Sequence, residues 1–319
     1  MRSYLSLVAL AFSILLATAA HADDKPAANR HPALGDDVPE AARRVVSFFN
    51  IGGRPSKDYR LPHYMGKPKN WADFIETHVE PEYTWGCRRW LIHNPFGDPP
   101  TGPMAFDQFL LAKEEGIDKV TVDFVEAWSA FFEKHPDTEV IFYLGKLHGS
   151  KRLEQHLPER PDLWLERAME SVRPILALAG EGASLSFDAA TGADKGSRTH
   201  RFVQLIESLG VRTYVESWPH NTRPWWGEFN VVCAEKRRGV YATGGAGVEQ
   251  EKIAGEIVWL INGNLAKQYK NEPDYNVRTP EGQFKLSRDL LKTNPHYAVA
   301  PPVRSWIKAG LKLEELMEE

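Results

Sequence analysis

The chain has 319 residues, of which 42% are hydrophobic and 11% aromatic, and a formal net charge of -4 at pH 7. That mild acidity, with lysines and arginines scattered along the chain, excludes the basic face that nucleic-acid binding needs, and Lys236-Arg237-Arg238 is too short to form a patch. Two cysteines, Cys87 and Cys233, are too few for a disulfide scaffold and leave two alternatives open: one bridge between them, or two buried thiols.

In chain order, the first feature is an export signal. Arg2 supplies a positive start, residues 5–20 are almost wholly apolar, and Ala20-His21-Ala22 has the small-x-small pattern of a cleavage site, so residues 1–22 are predicted to be removed before Asp23. The apolar run is short for a membrane span, which takes roughly 20 residues. No later segment is apolar enough either: residues 253–260 are interrupted by Glu256. Residues 23–40, rich in Ala, Pro, Asp and charge, read as a flexible mature N-terminus. Residues 41–319 are assigned to one domain.

Residues 41–49 have helical spacing, and Gly52-Gly53, Pro55, Pro62 and Pro68 break any longer helix. From Trp85 onward the rhythm is regular. Predicted strands cover residues 88–93, 139–144, 184–188, 211–216 and 229–234, with a further one at 239–243. Predicted helices cover 105–115, 122–133, 161–179 (divided or kinked at Pro174), 199–209 and 248–262. Strand alternating with helix implies parallel pairing through right-handed crossovers. The predicted fold class is therefore α/β. No Gly-rich nucleotide turn opens the first unit, which favours a (β/α)8 TIM-like barrel over an open doubly wound sheet. Six strands are counted against the eight of a full barrel, so two more must lie near Val45 and after Lys267, or the barrel is incomplete.

In such a fold, chemistry gathers where strands end and βα-loops begin. Those positions hold His93 and Asn94, Tyr143 with Lys146 and His148, Asp188, Glu216 with Ser217 and Trp218, and Glu235-Lys236. Asp188 and Glu216 each close an apolar run, on consecutive strands, and paired carboxylates suit cleavage of a glycosidic bond. Trp218, Trp225 and Trp226 crowd the segment after Glu216 and are candidate faces for sugar rings, whereas Trp90 and Trp128 are expected in the core. Asp123 and Glu126 read as solvated or N-terminal helix charges. No His-x-His or His-x-x-x-His spacing stands on one element, so no metal and no cofactor are expected. The turn at 243–247, Thr-Gly-Gly-Ala-Gly, is a weak candidate for anion binding.

The endings Ser-Phe-Asp188 and Tyr-Val-Glu216-Ser-Trp, on an exported Trp-rich chain, resemble the barrel of a glycoside hydrolase. The resemblance is architectural and covers residues 85–247. It implies an enzyme acting on a carbohydrate in the periplasm or outside the cell, with Glu216 as acid/base and Asp188 as nucleophile or second base. His93, Asn94, Tyr143, His148, Trp218, Trp225 and Trp226 would bind the substrate. The alternatives are a non-catalytic carbohydrate-binding barrel, and an exported lyase or phosphodiesterase using His93, His148 and the turn at Gly244.

Overall fold

Short runs of aromatic and β-branched residues build a parallel sheet. Its strands are β1 (Ser47–Asn50), β2 (Arg89–His93), β3 (Glu139–Lys146), β4 (Ala183–Asp188), β5 (Arg212–Ser217), β6 (Asn230–Ala234), β7 (Glu256–Trp259) and β8 (Tyr297–Ala300). They lie side by side in chain order, and every neighbouring pair is parallel. The first and last also meet: Val46 N–H donates to Val299 O (2.8 Å) and Phe48 N–H to Pro301 O (3.1 Å). The computed structural model describes residues 34–35, 37–50, 70–93, 118–146, 169, 172–188, 198–217, 230–234, 256–259, 275–293 and 297–318. All of them fall in the unit His31–Glu319.

Before β1 stands α1 (Glu40–Arg44), and between the strands run α2 (Trp71–Phe74), a π-helical turn (Ile75–Val79), α3 (Glu80–Trp85), α4 (Asp118–Lys134), α5 (Arg173–Leu176) and α6 (Arg198–Ser208). After β7 come α7 (Pro280–Thr293), α8 (Val303–Lys308) and a 3-10 turn (Leu313–Leu316). Among the described residues no helix is long and apolar enough to cross a membrane.

Where side chains are described, in β1 to β5 and β8, both faces of the sheet are buried, which is why these strands read as largely apolar runs. One face packs against the helices: Trp90, Ile92, Val140, Phe142 and Leu185 meet Trp71, Phe124, Trp128 and Phe131. The rings there are set edge to face, Trp71 on Phe124 at 5.3 Å and 88°, and Trp128 on Phe142 at 5.4 Å and 77°. Such pairs add roughly 0.5–1.5 kcal/mol each beyond the area they bury. Trp90 and Trp128 are core residues, as expected. On the other face Val46, Leu91, Ile141, Tyr143, Tyr214, Ala298 and Ala300 make a second cluster drawn from β1, β2, β3, β5 and β8.

Two expectations need correction. Residues 41–49 are not one helix: α1 stops at Arg44, Val45 is extended (φ -108, ψ 123), and β1 comes next. Val45, Val46, Phe48 and Phe49 satisfy helical spacing, but they equally suit a strand buried on both faces, and pairing with β2 decides. The helix predicted at 248–262 contains β7 instead, because Ile257-Val258-Trp259 is β-prone and finds ladders on both sides, in β6 and β8. Asp123, half-buried, does serve a helix N-terminus, that of α2: its Oδ2 accepts the N–H of Trp71 (3.1 Å). Strands do lie near Val45 and after Lys267, as β1 and β8, and β7 is a third that the predicted six do not include. Cys87 is a free, buried thiol, so the two cysteines do not pair. The predicted helix 105–115 and strand 239–243 lie outside the described residues.

Candidate functional site

The two ends of the strands differ in chemistry. At the N-terminal ends stands a closed polar network. Glu139 opens β3 and is 0% exposed; Arg89 opens β2 directly opposite it. Arg89 Nε donates to Glu139 Oε2 (2.8 Å), Nη2 to the Tyr214 hydroxyl (2.9 Å) and Nη1 to Arg43 O (2.7 Å). Glu139 Oε1 accepts from Ser184 Oγ (2.8 Å) and from Tyr214 OH (2.7 Å). Burial works against the charge of Arg89, but Glu139 and Tyr214 outweigh it and hold the guanidinium above its usual pKa. Burial pushes the Tyr214 phenol up to about 12. Each group is satisfied and each proton is held fast, so this end is a structural plug, in keeping with the stabilising role of the N-terminal face in parallel α/β folds.

The C-terminal edge is different. Five consecutive strands finish on polar residues: Asn50 on β1, His93 on β2, Lys146 on β3, Asp188 on β4, and Glu216-Ser217 on β5. The register aligns them in two rows. Asn50 pairs with His93, and His93 with Tyr143. One step further along, Lys146 pairs with Asp188, and Asp188 with Glu216. The register shifts between Tyr143 and Lys146, and this irregularity sets Lys146 rather than Gly145 opposite Asp188. Bulges of this kind are common beside functional sites, where they re-aim a side chain. Beneath the second row lie Tyr143, Ser186 and Tyr214, partners of one another and all buried. The Ser186 hydroxyl is buried without a hydrogen-bond partner.

The structure thus brings Asp188 and Glu216 to facing register positions, with Lys146 beside them and His93 and Tyr143 on the neighbouring row. Asn94, His148, Trp218, Trp225 and Trp226 lie outside the described residues, as do Glu235, Lys236 and the 243–247 turn. Sequence reasoning missed Asn50, because the helical assignment ran up to it; the signal available was Phe-Phe-Asn leading into Ile-Gly-Gly, a strand entering a turn. It missed Trp259 because a helix was assigned there too. That residue ends β7 with alanines, Ala234 and Ala300, as its partners on either side. Away from this edge, an open groove of about 340 Å³ runs between the π-turn and α4, with Ile75, Ala127 and Phe131 in its wall and Glu76, Glu80 and Lys134 beside them.

No protein-family profile matches the chain, and comparison with characterised proteins returns no match. The chemistry of the strand-end edge therefore rests on its own residues.

Proposed function

We propose that the eight strands close into a (β/α)8 barrel whose C-terminal mouth is the active site of an exported, glycoside-hydrolase-like enzyme. Three features support closure. Residues 46–48, at β1, and 299–301, at β8, share two backbone hydrogen bonds, and Val46 and Phe48 join residues of β2, β3, β5 and β8 in one apolar cluster. Followed through successive partners, the ladder that leaves β1 at Asn50 returns to it about eight residues earlier, the shear of this barrel class. Export rests on the pattern of residues 1–22.

The observation that carries the enzymatic reading is the pairing of Asp188 with Glu216 at the ends of β4 and β5. Neighbouring strands lie about 4.8 Å apart. That backbone spacing is compatible with the roughly 5–5.5 Å between the carboxyl groups of retaining glycosidases. Glu216 is assigned as acid/base. Asp188, with Lys146 as its register partner on the other side, is assigned as nucleophile. His93 and Tyr143 would hold substrate hydroxyls, and Trp218, Trp225 and Trp226 would supply stacking faces.

The test is turnover of a glycan panel by the wild type and by Glu216→Gln. A panel member should be cleaved with retention of configuration, and the variant should lose at least about 100-fold in kcat, the range of general acid–base catalysis. Full activity in the variant would end the assignment. Inverted product would remove Asp188 as nucleophile. Tight binding with no turnover anywhere in the panel would favour the carbohydrate-binding barrel.

A further inference from the structure

A second carboxyl group stands out on the helix-covered face of the sheet, beside the first residues of β1 and β2. Glu82, on α3, is 1% exposed. Its Oε2 accepts the indole N–H of Trp90 at 3.0 Å. Its Oε1 is buried without a hydrogen-bond partner, and so is the hydroxyl of neighbouring Ser47 on β1. A lone carboxylate oxygen in such a place is costly. One added proton satisfies both atoms at once, because a carboxylic acid donates where a carboxylate only accepts. We propose that Glu82 is a proton-dependent latch: as a neutral acid it pins the helical segment 71–85 to β1, β2 and α8, and each loss of its proton loosens that segment.

The surroundings favour the neutral form. β1 and β2 present Ser47 and Trp90, neither of which is charged. From its own turn comes Cys87, itself buried and held as a thiol. From α8 comes Arg304, whose charge and backbone N–H both favour the carboxylate. That side chain is exposed, however, and its Nη1 is engaged with Nδ1 of His78 (2.6 Å), on the π-turn. Burial is the largest influence and outweighs Arg304, Ser47 and Trp90 together, pushing the carboxyl up to about 8.

Proton counting gives the sign. Between the ordinary carboxyl value of 4.5 and about 8, the closed segment holds a proton that the opened segment has released. Raising the pH therefore favours opening, about tenfold per pH unit, and the stabilisation is complete below that window and gone above it. The segment leads through Cys87 into β2, which ends at His93, so alkaline loosening acts on the layer backing two strands of the candidate mouth.

Hydrogen exchange of the full chain, followed by mass spectrometry from pH 5 to 9 and corrected for intrinsic rates, tests this. Relative to peptides from α4, those from residues 71–85 should lose protection about tenfold per pH unit up to about pH 8 and then level off. Glu82→Gln keeps the shape and cannot ionise, so its ratio should stay flat. A flat ratio in the wild type overturns the latch even if the variant does not fold. So does a variant whose ratio tracks the wild type.

Discussion

Replacing Glu139 by Gln is the sharpest probe of the plug at the N-terminal ends of the strands. The amide keeps the shape and most of the hydrogen bonding. Its oxygen can take the place of Oε2 and accept from Arg89, while its nitrogen takes the place of Oε1, where Ser184 and Tyr214 hydroxyls can turn to accept. What it cannot supply is the charge. Arg89, with its side chain only 11% exposed, would be left as a buried cation with no counter-charge among the described residues. Breaking a buried pair from one side costs about 3–5 kcal/mol. Glu139→Gln should fall near the lower figure, and Glu139→Leu, which also orphans two hydroxyls, near the upper. The double change Arg89→Met with Glu139→Leu removes both charges and should recover the part of the loss due to the uncompensated charge, short of the donor to Arg43 O and of the acceptor for the Ser184 and Tyr214 hydroxyls. Urea unfolding of the wild type, the singles and the double, with unchanged m-values, gives the coupling energy. The single costs should exceed the double by at least about 3 kcal/mol. If Glu139→Gln costs under about 1 kcal/mol, or if the singles add up to the double, the network is not the plug described.

Two further outcomes rest on burial and backbone geometry. Burial, with Glu82 adding to it, pushes the Cys87 thiol up to about 12, so a thiol reagent at pH 8 should leave Cys87 unmodified in the native chain and modify it after denaturation, as read by peptide mapping; native labelling would contradict its packing. Gly182 has φ +116, and a Cβ there would lie 2.6 Å from Thr138 O and 2.9 Å from the Phe132 ring, whereas Gly210, at φ +83, has nothing within 4 Å. Gly182→Ala should therefore cost at least about 2 kcal/mol and Gly210→Ala about 1; equal losses on denaturant titration would contradict the clash.

What could be read from the sequence divides along physical lines. β2 to β6 are legible because a parallel strand buried on both faces must be apolar at nearly every position, and runs such as Val140-Ile141-Phe142-Tyr143 say so locally. β7 was hidden because four residues carry too little pattern to outvote a helical window; only its ladders with β6 and β8 distinguish it. Glu139 and Arg89 were invisible as a pair, since a charged residue opening a strand looks like a boundary marker and its partner stands 50 residues away in the chain. Glu82 was hidden in a similar way, a carboxylate in the first turn of a helix being normally a solvent-facing complement to the helix dipole. Asp188 and Glu216 show the limit most clearly. Their place at strand ends is a local fact and was legible, but their facing register is set by how the two buried faces of β4 and β5 interlock. The same interlocking, with the shift after Tyr143, adds Lys146 to the pair. A row of cation, carboxylate and carboxylate on three adjacent strands therefore comes from packing beneath it, so changes in the layer of Tyr143, Ser186 and Tyr214 should disturb the candidate site as directly as changes in the row itself.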